Sequence, residues 1–185
     1  MSLRIIRSAD TQTQPWKNGL GTTREIARFP RASTSDDFVW RVSVAEVNSA
    51  APFSLFPGID RSIALLEGDG FTMTLDGDRQ HALTTPYVPF AFAGEARVDV
   101  VMAGGATRDF NLMVRRASAQ GTVAVYDTAG SHVAPEDAVL LYVARGAAHT
   151  TDGELQAGDA WLPDTAPFHL APGALALLVR VHLHA

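Results

Sequence analysis

The 185-residue chain contains no cysteine. That excludes disulfides and thiolate metal sites, and it suits a reducing compartment. No apolar run approaches the ~18 residues that a membrane-spanning helix needs; Ala174–Val179 falls far short. The N-terminal text Met1-Ser2-Leu3-Arg4-Ile5-Ile6-Arg7 has no apolar stretch of signal-peptide length. These absences predict a soluble, cytoplasmic protein that uses no membrane. Excess basic charge is missing too. Fifteen Lys and Arg stand against 20 Asp and Glu, a net charge of −5. The basic residues are scattered, so nucleic acid is not an expected partner.

Long helical stripes are absent as well, and short β-type runs separated by Gly, Pro and Asp turns fill the chain. Phe38 to Val44 alternates, with Phe38, Trp40, Val42 and Val44 on one face and Arg41 and Ser43 on the other. Thr107 to Arg115 places Arg108, Phe110, Leu112 and Val114 opposite Asp109, Asn111, Met113 and Arg115. Ile59 to Leu66 groups Arg61, Ile63 and Leu65. Asp76-Gly77 and Asp152-Gly153 are hairpin signals. Ala138 to Ala144 and Leu175 to Leu183 are further strands. A faint duplication of Gly, Asp-Gly, Pro and aromatic positions links the two halves. The expected fold is all-β, a sandwich or barrel architecture repeated in tandem. Its approximate halves are residues 1–118 and 119–185. A chain of this length buries roughly 70% of its unfolded surface, enough to hold such a core.

Three polar blocks interrupt the apolar pattern. They are Pro15-Trp16-Lys17-Asn18-Gly19-Leu20-Gly21-Thr22-Thr23-Arg24-Glu25, Phe56-Pro57-Gly58-Ile59-Asp60-Arg61, and Thr107-Arg108-Asp109-Phe110-Asn111-Leu112-Met113-Val114-Arg115. These blocks, with Trp40-Arg41-Val42-Ser43, Pro52-Phe53-Ser54, Leu65-Leu66-Glu67-Gly68 and Pro89-Phe90-Ala91-Phe92, resemble the HutD/Ves family of bacterial proteins. The match covers residues 15–115 strongly and the remainder in architecture. Leu20 departs from the glycine expected at that loop position, which stiffens the loop. The resemblance implies a fold of two cupin-like jelly-roll barrels and an association with bacterial histidine utilisation. It brings no established catalytic chemistry. It favours Arg61 as the ligand-facing arginine.

The residues themselves sort by chemistry. A metal set is deficient: His81 is alone in the first half, His149 is followed by Thr151 rather than a second ligand, and His182 and His184 fall at the chain end. The chain is read without a metal or other cofactor. Arg41, Arg61 and Arg108 lie in apolar β patterns, where a guanidinium either grips a carboxylate or pairs internally with Glu46, Glu67, Asp60 or Asp109. The loop from Trp16 to Thr23 either folds over a pocket, with Lys17 and Asn18 as donors, or is an ordered turn whose tryptophan caps the core. It matches no dinucleotide or phosphate-loop pattern. Phe90 is either a pocket wall or core packing.

The reading is a binder of a small anionic metabolite of histidine degradation. Urocanate, its formylated or formiminated derivatives and formate are candidates. Arg61 would hold the carboxylate, with Arg41, Ser43, Arg108 and Asn111 as further donors, and the second barrel would be structural. A rival is a metal-independent enzyme on the same pathway with Glu46 as general base. A third reading is a scaffold for a pathway enzyme. Fold-level analogy with cupins points to a homodimer.

Overall fold

The computed structural model describes residues 4–16, 19–33 and 37–184. Its strands, in chain order, begin with β1 (Ile5–Ile6), β2 (Thr13–Pro15), β3 (Gly21–Phe29), β4 (Trp40–Val47), β5 (Ile59–Glu67) and β6 (Phe71–Leu75). They continue with β7 (Arg79–Leu83), β8 (Phe90–Ala93), β9 (Val98–Met102), β10 (Thr107–Arg115), β11 (Ala119–Tyr126) and β12 (Gly130–Val133). The last are β13 (Ala138–Arg145), β14 (Ala147–Thr150), β15 (Gly153–Gln156), β16 (Ala160–Trp161), β17 (Pro167–Leu170) and β18 (Leu175–Leu183). Among the described residues the one helix is a single 3-10 turn, Ser8–Asp10. No helix there is long and apolar enough to cross a membrane.

Two compact units divide the chain: Gln12–Gln120 with Leu183–Ala185, and Met1–Thr11 with Gly121–His182. In the first, a six-stranded sheet of order β2-β3-β4-β10-β5-β8 packs on a three-stranded sheet of order β7-β6-β9. Alternation explains the packing. In β6, Phe71, Met73 and Leu75 are fully buried while Thr72 and Thr74 between them are half-exposed. The inward set meets Ile63, Leu65 and Phe92 of the larger sheet. Asp76 and Gly77 turn the chain after β6 with φ of 53° and 85°, the left-handed region that Asp and Gly tolerate best. Strand β10 lies between β4 and β5 and is buried on both faces. Its odd-numbered side chains share the face of Ile63 and Leu65, toward the interior of this unit.

The other unit holds a five-stranded sheet, β1-β16-β13-β18-β11, and a four-stranded sheet, β12-β17-β14-β15. Leu141, Trp161 and Leu178 of one pack with Ala148, Leu155 and Phe168 of the other. The indole N–H of Trp161 donates to Asp152 Oδ2 at 2.7 Å, so the one polar atom of this buried ring is satisfied. Asp152 lies at the hairpin tip with Thr151, because Thr150 pairs with Gly153, one residue earlier than the Asp152-Gly153 signal places the turn.

Neither unit is one continuous stretch of chain: Leu183–Ala185 belongs with the earlier one and Met1–Thr11 with the later. Ile5 pairs with Trp161 and Ile6 with Ala160, which builds the N-terminal segment into the later unit. Asp159 secures it. This buried carboxylate accepts the backbone N–H groups of Ser8 (2.9 Å) and Gln156 (3.1 Å) and Nη1 of Arg7 (2.7 Å). Burial pushes its pKa up, but these donors outweigh that and hold it below the usual aspartate range. Asp159→Ala removes all three of these hydrogen bonds at once. The expected loss is about 2–3 kcal/mol in urea unfolding; wild-type stability would mean that water replaces the carboxylate at no cost.

Candidate functional site

A cavity of about 490 Å³ opens in the Gln12–Gln120 unit. Its floor is the interior face of the large sheet. Arg41, Ser43, Ala45 and Val47 of β4, Arg61 and Ile63 of β5, and Asp109, Asn111 and Met113 of β10 all line it. Every one is odd-numbered, as the two-residue period requires. Register brings them together: Met113 lies opposite Arg41 on one side and Arg61 on the other, and Asn111 lies between Ser43 and Ile63. Pro52, Phe53, Ser54 and Phe56 form one wall. That segment is pinned by backbone N–H donation from Phe53 to Val98 O (3.0 Å) and from Phe56 to Gly94 O (2.8 Å).

Trp16 is the opposite wall. Its indole N–H donates to Thr23 Oγ1 at 2.8 Å, and its backbone N–H donates to Gly21 O at 2.9 Å. Gly21 makes this possible. A Cβ there would stand 2.5 Å from the Glu46 carbonyl oxygen and 2.9 Å from the Trp16 ring. Lys17 and Asn18, expected as donors, lie outside the described residues.

The three arginines have different fates. Nε of Arg41 donates to Glu25 Oε2 at 2.8 Å, and Arg28 holds the same carboxylate. Burial works against the charge on Glu25, but the two guanidinium partners prevail and keep its pKa low. Arg108 pairs with Glu67 at 2.7 Å. Arg61 alone of the three has no carboxylate within 4 Å among the described residues, although it is only 8% exposed. Its Nη2 donates to Asn111 Oδ1 at 3.1 Å, and its Nε has no hydrogen-bond partner. Phe92, Phe53 and Phe56 surround the guanidinium, with ring centroids 4.9, 5.2 and 5.4 Å from Cζ. Aromatic faces recover part of the lost hydration. Burial, with the like charge of Arg41, pulls its pKa down to about 10, so it stays cationic at neutral pH.

Asp109 is the second charged-type group sealed in the cavity. It is wholly buried; Thr107 Oγ1 donates to its Oδ2 at 2.9 Å, while Oδ1 has no partner. Burial pushes its pKa up to about 7 against the lowering effect of Thr107. Sequence alternation pointed to it, since it shares a face with Asn111, but it reads there as an arginine partner. Phe53, Phe56, Trp16 and Met113 are further lining residues outside the expected set.

Three expected residues do not line the cavity. For two of them the strand period says why: Arg108 and Glu46 are even-numbered neighbours across β10 and β4, so they take the face opposite Asn111 and Ser43, and Glu46 is exposed. Phe90 pairs with Ile63 but is stacked between His81 (3.6 Å between centroids) and Phe92 (6.1 Å). Among the described residues no three His, Asp or Glu side chains are grouped to hold a metal ion.

A family model described as HutD matches residues 8–178. The chain belongs to the HutD family. An uncharacterised 21.2 kDa protein from the region 3′ of hutC in Pseudomonas putida is 37% identical over 142 residues, covering 77% of this chain and 74% of that one. HutD from Pseudomonas fluorescens SBW25, whose structure was solved in a formate condition, is similar over 98% of each chain, at a TM-score of 0.84 and 28% identity. A cupin 2 conserved barrel domain protein from Leptotrichia buccalis shares the fold alone, at a TM-score of 0.56 and 10% identity over 94% of this chain and 92% of that one. The fold is all-β and cupin-like, and HutD membership links the chain to histidine utilisation.

Gly21→Ala is expected to push Trp16 from its wall, because the Glu46 backbone oxygen on the other side cannot yield. Overpacking of this kind costs about 1–3 kcal/mol, and the tryptophan emission should shift to the red; an unchanged spectrum would show that the turn absorbs the methyl. Asp109 gives a second expectation. Its pKa rises from 3.8 in the unfolded chain to about 7 in the folded protein. The folded state therefore binds the extra proton between those values, and stability falls as pH rises through that window. Asp109→Asn should shrink the difference between urea midpoints at pH 5 and pH 8. An undiminished difference would mean that this carboxyl does not titrate there.

Proposed function

We propose that the cavity is a receptor for a small anionic metabolite of histidine degradation, with Arg61 gripping its carboxylate. The observation that carries this reading is a buried, charged guanidinium with no carboxylate partner among the described residues and an idle Nε–H. A carboxylate supplies what Arg61 lacks: opposite charge and two acceptors in the plane of the guanidinium. Asn111 fixes the orientation of the fork from one side. Family membership supplies the pathway, so urocanate, its formylated or formiminated derivatives and formate are the candidate ligands. The structure of the Pseudomonas fluorescens relative in a formate condition is in keeping with a small carboxylate.

The binder acts as an accessory or regulatory protein in the cytoplasm. It either limits accumulation of an intermediate or reports its level. Binding is favoured over catalysis because Glu46, the base on which the enzymatic alternative depends, is exposed on the other face of β4 and lines no part of the cavity.

Arg61→Met separates ligand binding from folding. The variant keeps an apolar stem among the three phenylalanines and removes the charge. Binding of small carboxylates should weaken by about 2–5 kcal/mol, the usual cost of truncating one member of a buried charge pair. The ligand-free variant should melt no lower than the wild type, because an uncompensated buried cation has been removed. Calorimetry and thermal denaturation read the two effects, and undiminished carboxylate affinity would sink the proposal. Ligand recovered chemically intact after incubation at catalytic protein ratios marks a binder; turnover marks an enzyme.

A further inference from the structure

We infer that the site is two-ended: Arg61 takes a carboxylate, and Asp109 Oδ1 accepts an N–H from the other end of the same ligand. The inference rests on the carboxylate reading above and narrows it. The ligand is a carboxylate that carries a nitrogen donor, such as an imidazole ring or an amidine, and a bare monocarboxylate satisfies only half the cavity.

Geometry supports this. Asp109 lines the cavity, is completely buried, and has one carboxyl oxygen engaged by Thr107 and the other without a partner. A buried acceptor left empty costs about 1–3 kcal/mol, so a completed site should fill it. Arg61 does not fill it. Its guanidinium is held at Asn111, two residues along β10 on the same face. At about 3.3 Å per residue, the backbone positions of Asn111 and Asp109 are roughly 7 Å apart. Ser43 and Ile63 flank Asn111 in the neighbouring strands. The cavity therefore offers a buried cation held at Asn111 and a buried carboxyl at the next position of the same face.

Charge gives the same answer. A simple carboxylate entering beside Arg61 brings negative charge toward Asp109 and leaves Oδ1 empty. A ligand whose far end donates an N–H compensates both groups together. Burial raises the pKa of Asp109 to about 7, and an N–H donated to Oδ1 would favour its ionised form. Sites built around a buried hydrogen-bonding group reject analogues that lack the matching group more strongly than apolar pockets reject a change of size.

The test compares two carboxylates of nearly one shape, 3-(imidazol-4-yl)acrylate and 3-(furan-3-yl)acrylate. Both carry the acid, and only the first carries an N–H. Calorimetry on the wild-type protein should show the imidazole compound binding at least about tenfold more tightly. In Asp109→Leu, with folding verified by thermal melting, the imidazole compound should lose that advantage, while the furan compound should bind no more weakly than to the wild type. Equal wild-type affinities for the two would overturn the inference and leave the carboxylate receptor standing. Binding of neither compound would overturn this inference; formate titrated into the same protein then decides the receptor reading, which is overturned if formate does not bind either. The wild-type comparison decides the matter even if Asp109→Leu does not fold.

Discussion

A guanidinium buried against three phenylalanine rings is the constraint around which the Gln12–Gln120 unit is arranged. Removing a cation from water is expensive unless a partner compensates, and the neighbouring elements offer only partial compensation. Asn111 supplies one acceptor and the aromatic rings supply their faces. Arg41, which could have shared an anion with Arg61, is occupied by Glu25 and instead adds like charge. The result is a buried cation whose charge the protein's own groups balance only in part. Such a part-balanced charge is a recognised exchange of stability for function.

The scaffold around Arg61 keeps that arrangement from relaxing. Strand β10 is hydrogen-bonded on both sides, so Asp109, Asn111 and Met113 cannot swing away. The phenylalanines of the wall are tied down through backbone bonds to the segment around Gly94 and Val98. Trp16 is fixed through Thr23 and by close approach to a residue without a side chain. Groups held in this way are already ordered before anything enters the cavity.

Much of this was legible in the chain. Strand β18 runs from Leu175 to Leu183 and β10 from Thr107 to Arg115, as the alternation of the sequence requires. That alternation also separated Arg108 from Asn111 and Glu46 from Ser43, because side chains an odd number of residues apart in one strand cannot share a face. Arg108 and Glu46 therefore cannot line the face that carries Asn111 and Ser43. What could not be read was pairing between distant segments. Nothing local to Arg41 points to Glu25, since the match depends on β3 lying beside β4 and on a register shift between Glu25 and Ala27. Asp109 was visible as a carboxyl near arginines, but its isolation from them depends on how far Arg61 reaches along the sheet. The N-terminal crossing was equally hidden, because two isoleucines carry no sign of a partner so far along the chain.

That crossing has a consequence for the order of assembly. Arg7 and Asp159 are separated by 152 positions. During synthesis the segment Ile5–Thr11 emerges long before the strand that will receive it, while all of the Gln12–Gln120 unit except its Leu183–Ala185 part is made in between. At translation speeds of about 5–20 residues per second, this leaves an edge strand waiting several seconds for its place. The unit that forms later is thus sewn shut by the segment made earlier, and the strands that line the cavity belong to the stretch of chain made during the wait.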